Sequence, residues 1–236
     1  MSRALAAETL GTAFLLAIVV GSGIMGESLA GGNVAIALLA NSLATGGGLM
    51  ALILIFGPIS GAHFNPVVSF AMAYFGEMTW GHACQYLVAQ IFGAIAGVMA
   101  AHVMFDAPVL MLSHKIRAGF PLMFSEVVAT FGLLAVILGC RKERASAIPF
   151  AVGGYIMAAY WFTASTCFAN PAVTIARSLT DTFAGIRPAD APGFIVAQMV
   201  GTVLAIAGFR WFAIEHSNEP LERKRDSSRR IATTRS

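Results

Sequence analysis

Asn65-Pro66-Val67 and Asn170-Pro171-Ala172 stand at matching places in the two halves of a chain of 236 residues. Each breaks an apolar run with a helix-start signal, since asparagine is a good N-cap and proline is favoured at the first helical position. A helix that starts inside a bilayer is costly, because its first amides lack partners. It is tolerated only where it lines a protein cavity or water. Two such starts predict two half-helices whose N-terminal ends face something that needs hydrogen-bond donors, which is the pattern of a pore.

Composition sets the environment. Hydrophobic residues make up 57% of the chain and charged residues 11%, with a mean hydropathy of +0.75. A soluble domain carries about 25% charged residues, so this is an integral membrane protein. The net charge of +3, from 15 basic and 12 acidic residues, is too small and too dispersed for a nucleic-acid partner. Cys84, Cys140 and Cys167 are odd in number and lie in apolar surroundings, against a disulfide framework. No CxxC, HExxH or GxSxG pattern occurs, and no cofactor is expected. Arg3 followed by an apolar run has the outline of a leader. However, Glu8 lies inside the run and Leu10 to Met25 lacks a small-x-small cleavage site, so it reads as a retained first span.

A bilayer core needs ~20 apolar residues per helix. Six candidates fit: about Ala4–Met25, Val34–Gly57, Ala83–Phe105, Leu122–Cys140, Ile148–Phe168 and Ala191–Ile214. Pro66–Phe75 and Pro171–Leu179 are too short to span and read as the half-helices. With six spans, eleven basic residues fall on one side: Arg3, Arg141, Lys142, Arg144, Arg210 and six in the tail from Arg223 to Arg235. Four fall on the other: Lys115, Arg117, Arg177 and Arg187. The positive-inside rule then puts both termini in the cytoplasm, with the first half-helix entering from there and the second from outside.

The halves repeat in order. Glu8, Thr12, Leu15-Leu16-Ala17 match Glu126, Thr130, Leu133-Leu134-Ala135; Asn65-Pro66 matches Asn170-Pro171; Val88-Ala89-Gln90 and Gly93 match Val196-Ala197-Gln198 and Gly201. Each half has three spans, an odd number, so the second copy is inverted in the membrane and a shared site is expected at the midplane. The expected fold is an all-α membrane protein of six transmembrane helices and two re-entrant half-helices. It forms one channel domain over residues 1–214, with repeats of about 4–105 and 122–214. A polar basic tail over 215–236 sets topology or meets anionic membrane lipid. Gly46-Gly47-Gly48, and Gly93 with Gly97, read as close helix packing.

Ser60-Gly61-Ala62-His63-Phe64-Asn65-Pro66 together with Asn170-Pro171-Ala172 resembles the paired signatures of the aquaporin (major intrinsic protein) family. Glu8, Glu126, Gln90 and Gln198 also sit where that family has such residues. The resemblance runs from about Ala6 to Gly208 and implies one pore per subunit and a homotetramer. It implies that Glu8 and Glu126 brace the half-helix loops, a role that fits the cost of a carboxylate within a span. His63 reads as a hydrogen-bonded brace or pore-wall residue, since no second metal ligand lies near it.

The resemblance also assigns an outer constriction to four positions: Thr45, twenty residues before Asn65; Ala158, twelve before Asn170; Cys167, three before it; and Val173, three after it. The two in the second signature are gap-free, while Thr45 and Ala158 carry a tolerance of one residue. Water-selective members pair an arginine at the fourth position with aromatic and histidine bulk, and glycerol-conducting members keep the arginine with aromatics. Here all four residues are small or medium and uncharged. Losing a guanidinium removes a donor array and a fixed charge. The expected filter is therefore wide and apolar, unless Arg177, four positions on, refills the space. The Val residues in both signatures resemble a bacterial branch associated with arsenic resistance, whose setting would be the cytoplasmic (inner) membrane. By that resemblance arsenous acid, neutral and three-hydroxyl, and methylated arsenicals join glycerol and water as solutes. The rival readings are a water-selective aquaporin, a secondary transporter on inverted repeats, and an intramembrane enzyme, for which no catalytic pair is visible.

Overall fold

A computed structural model describes residues 2–217 of the protein, and the basic cluster from Arg223 onward lies outside them. Among the described residues regular structure is helical throughout: α1 (Arg3–Leu29), α2 (Val34–Ser60), α3 (Pro66–Tyr74), α4 (Trp80–Met104), α5 (Phe120–Cys140), α6 (Ile148–Phe162), α7 (Pro171–Arg177) and α8 (Ala191–Ser217). Six of these are long and apolar enough to cross a membrane. The 27 residues of α1 rise about 40 Å at 1.5 Å per residue, more than the ~30 Å hydrocarbon core, so the helix must tilt or protrude.

Local chemistry sets the helix ends. The side chains of Ser2, Asn33 and Thr79 cap α1, α2 and α4 by accepting from amides one turn in. Gly61 ends α2 in the left-handed conformation, at φ +83°, where a Cβ would be strained. The half-helices α3 and α7 each have their asparagine as N-cap and proline in the first turn.

The repeats show in the packing. α1 packs on α2 and α4, α5 on α6 and α8, and α2 meets α6 across the pseudo-twofold. Corresponding glycines permit this approach. A Cβ at Gly93 of α4 would overlap the Thr9 carbonyl of α1, and one at Gly201 of α8 would crowd the Val127 carbonyl of α5. Large apolar side chains such as Phe92, Val88, Val196 and Leu54 are exposed on the periphery. Glu8, Gln90, Glu126 and Gln198 are wholly buried inside. That inverted distribution suits lipid outside and a polar path within.

Several boundaries differ from expectation, α2 reaching Ser60 rather than Gly57 and α4 starting at Trp80 rather than Ala83 among them. α1 runs four residues further, to Leu29, and α8 extends to Ser217, into the segment read as tail. α6 ends at Phe162 rather than Phe168, because residues 163–169 leave the helix as an irregular, re-entrant segment of turns and left-handed residues.

Below, the N-terminal face is the one where α1 begins, and the far face is its opposite.

Candidate functional site

Each half-helix is reached through a strained approach. Ala62 and Phe64 before α3, and Cys167 and Ala169 before α7, have φ between +46° and +51°, and Thr166 has +60°. A residue with a Cβ pays about 1–2 kcal/mol in that region, so something must hold these segments. The two buried glutamates do. Glu8 accepts the main-chain N–H of His63 at 3.0 Å and of Phe64 at 2.8 Å, the Ser60 hydroxyl at 2.6 Å and Gln90 Nε2 at 2.8 Å. Glu126 accepts the N–H of Phe168 at 2.9 Å and of Ala169 at 2.8 Å, and Gln198 Nε2 at 2.7 Å. Each glutamine also donates to a hydroxyl on its half-helix, Ser69 at 3.1 Å or Thr174 at 2.9 Å. His63 joins the first brace through Nδ1, 3.0 Å from Ser69 Oγ, and among the described residues no group of three metal-ligating side chains exists.

Two crossed hydrogen bonds tie the midplane together. Asn65 Nδ2 donates to the Ala169 carbonyl and Asn170 Nδ2 to the Phe64 carbonyl, both at 2.8 Å. Asn65 Oδ1 accepts Val67 N–H, and Asn170 Oδ1 accepts those of Ala172 and Val173. Pro66, Val67, Pro171 and Ala172 are buried behind them. The side-chain oxygen and one amide proton of each asparagine are thereby fixed in direction. The remaining N–H of each amide has no protein partner among the described residues and faces a cavity that both residues line. Two helix N-termini converge here, so the site offers hydrogen-bond donors to a solute oxygen and a positive potential to any cation.

The cavity, of about 240 Å³, runs from Glu77 and Arg141 toward the N-terminal face, past Asn65 and Asn170, to Thr45, Tyr160, Cys167, Val173 and Arg177 toward the far face. Thr45, Cys167 and Val173 thus share one lining. Ala158 does not belong to it and is exposed on the periphery. The reason is helical geometry: Ile156 and Tyr160, four apart on α6, share the inward face, and Ala158 lies about 200° round from each. Tyr160, absent from the expected set, donates its hydroxyl to Thr45 Oγ1 at 3.2 Å. Arg177 also enters the lining. The constriction is therefore bulkier and more polar than four small residues would make it, although no arginine stands at 173.

A second cation reaches the same region from the loop after α4. Arg117 is buried. Its Nε donates to the Gly185 carbonyl at 2.8 Å and its Nη1 to the Ser165 carbonyl at 3.2 Å. Nearby on that loop, Lys115 Nζ donates to the Phe183 carbonyl at 2.8 Å. Loss of water there, with repulsion from Arg117 and Arg177, pulls the ammonium down to about 8. Asp190 lies below the usual carboxylate range, chiefly because Arg187 donates to it at 2.7 Å.

Comparison with known proteins agrees with this geometry. The family model described as major intrinsic protein matches residues 1–165. The chain is 53% identical over 211 residues to aquaglyceroporin AqpS of Rhizobium meliloti (strain 1021), covering 89% of this chain and 90% of that protein. It is 30% identical over 227 residues to aquaporin Z of Bradyrhizobium diazoefficiens, covering 89% and 93%. The solved structure of the aquaglyceroporin from Plasmodium falciparum superposes with a TM-score of 0.69 over 87% of this chain and 93% of that one; at 23% identity it speaks for the fold alone. Likeness over nearly the whole chain, joined to a duplicated half-helix around one cavity, means that the chain belongs to the major intrinsic protein family and is a membrane channel, not an enzyme.

Proposed function

We propose that the protein passes small uncharged solutes down their gradients: glycerol-like polyols, arsenous acid and methylated arsenicals, with some water. One observation carries the reading. Valine at 173 lines the cavity beside Thr45 and Cys167, so no guanidinium projects from that position, and Tyr160 and Arg177 line the same end. A three-hydroxyl solute can exchange its water for the free N–H of Asn65 and Asn170. A cation would lose its hydration against two positive helix ends. Arsenous acid, neutral at pH 7, resembles part of glycerol in shape and hydroxyl count. The relative named an aquaglyceroporin is the more similar of the two bacterial proteins compared, which favours polyols over water alone. The reading includes one channel domain over 1–214, a homotetramer, and both termini at the cytoplasmic side of a bacterial inner membrane.

The test is purified full-length protein in liposomes, with light-scattering permeability to water, glycerol, urea and arsenous acid. Glycerol and arsenous acid permeabilities well above those of empty liposomes, and not saturable in solute, support it. Fast water flux with neither solute passing would make it a water channel. Saturable, proton-coupled uptake would make it a transporter.

A further inference from the structure

Arg177 is 2% exposed and lines the far-face end of the cavity. Its Nε donates to the Ala184 carbonyl, and its guanidinium lies over the Phe168 ring, 3.5 Å from the centroid. Among the described residues its terminal amino groups have no hydrogen-bond partner. Nor is any carboxylate within ion-pair distance of it, the three ion pairs there being His114–Asp181, Arg141–Glu77 and Arg187–Asp190. Glu126, a buried acid of the same half, is occupied by the re-entrant amides. Arg117 lies over the same Phe168 ring at 5.1 Å and adds a second cation held by carbonyls. A guanidinium buried this deeply without a counter-charge is costly. The cavity is the one direction in which its free donors can find acceptors.

The opposite mouth supplies an internal control. Arg141 also lies over a phenylalanine, Phe75, at 4.3 Å, and also lines the cavity, but Glu77 Oε1 is 2.6 Å from its Nη1. Charge is cancelled at one mouth and left standing at the other.

We propose that Arg177 is a specificity-determining residue of this channel: its free N–H groups donate to the hydroxyl oxygens of a neutral polyol one helical turn beyond Val173, and its uncancelled charge turns cations back before the midplane. The proposal rests on the channel reading above and adds a donor-bearing, cation-rejecting ring to it.

The test uses the full chain in liposomes, comparing wild type with Arg177→Gln and Arg177→Lys. Glycerol-to-water permeability is read by light scattering and potassium leak by a trapped dye under an imposed potential. For Arg177→Gln we expect at least a fivefold rise in potassium leak with glycerol flux retained. For Arg177→Lys, which keeps the charge but not the planar fork, we expect wild-type exclusion of potassium and at least a threefold fall in the glycerol-to-water ratio. A glutamine variant that conducts glycerol and excludes potassium like wild type overturns the proposal. So does loss of all flux in both variants while they still elute as folded protein, since Arg177 would then only hold the loop. Should the glutamine variant not fold, an unchanged glycerol-to-water ratio in the lysine variant overturns it. A wild type that passes no neutral solute refutes the channel reading instead, before any variant is compared.

Discussion

The two mouths of the cavity are built to one plan and finished differently. Each has an arginine over a phenylalanine ring, Arg141 at the end of α5 on Phe75 and Arg177 at the end of α7 on Phe168. At the N-terminal face the arginine is paired with Glu77, whose side chain is half exposed. At the far face it is almost fully buried and, among the described residues, its side chain hydrogen-bonds to the Ala184 carbonyl alone. Duplication supplied the strained turns, glutamate braces and crossed asparagines twice over. The electrostatics of the mouths differ, one arginine being ion-paired and the other not.

The most severe way to break the comparison is to remove a brace. Glu126→Ala would leave the N–H of Phe168, the N–H of Ala169 and Gln198 Nε2 without their acceptor. Each buried donor left unpaired costs about 1–3 kcal/mol, a large fraction of a fold stabilised by about 5–15 kcal/mol. We expect little folded protein by size-exclusion chromatography and no glycerol flux above empty liposomes. Glu8→Ala, which also strands Ser60, should be at least as damaging. Wild-type yield and flux in either variant would show that the strained segments hold themselves.

Next in size is Val173→Arg, which gives the far mouth a second lining arginine. The side chain would extend into volume that a three-hydroxyl solute needs, while water can use its donors. A barrier increment of ~1.4 kcal/mol is already tenfold in rate, so glycerol and arsenous acid permeability should fall about tenfold and water permeability much less. Thr45→Phe should act in the same direction without charge. An unchanged solute-to-water ratio in Val173→Arg would place the selective constriction elsewhere along the cavity.

A milder change makes the mouths more alike. Glu77→Ala leaves Arg141 unpaired at the N-terminal face, as Arg177 is at the far face. Ion pairs open to water contribute about 0–1 kcal/mol, so stability should be nearly unchanged and neutral flux should alter by less than about threefold. The swap Glu77→Arg with Arg141→Glu should return it to wild type. A tenfold fall in glycerol permeability in Glu77→Ala, restored by the swap, would make the pair a gate rather than a neutralised wall.

What could be read from the sequence was what depends on local chemistry or on repetition. Asn65-Pro66 and Asn170-Pro171 announce helix starts because capping involves only the next few residues. Glu8, Glu126, Gln90 and Gln198 could be picked out because each has a counterpart in the other half. Ala158 was misplaced because counting back from Asn170 crosses the junction between α6 and an irregular segment, where helical phase is lost. For the same reason Tyr160 was passed over, and the fifth span was drawn six residues too long: Thr163 to Phe168 is apolar enough to pass for helix by hydropathy. Arg117 had no local signal. Its partners Gly185, Ser165 and Asp190 are 48 to 73 residues away, so only the folded loop shows that it is buried.

The smallest effect belongs to Lys115, which tunes the unpaired mouth. Its ammonium lies over the Phe183 ring at 4.7 Å and donates to the Phe183 carbonyl. Lost hydration and then the charges of Arg117 and Arg177 lower it to about 8 from the ordinary 10.5, against a weaker pull from Glu27. Between those two values the unfolded chain keeps a proton that the folded chain has released. Stability therefore rises with pH across that window and is flat, for this group, below it. The mouth meanwhile loses one positive charge as pH on the far side rises from 7 to 9. Part of the side chain stays exposed and is screened by salt, so we expect potassium leak to rise by no more than about twofold, with glycerol permeability constant. Lys115→Met should give a flat profile already at the high-pH level. If wild type and Lys115→Met show the same pH dependence of leak, the charge that matters at this mouth is carried by the two buried arginines alone.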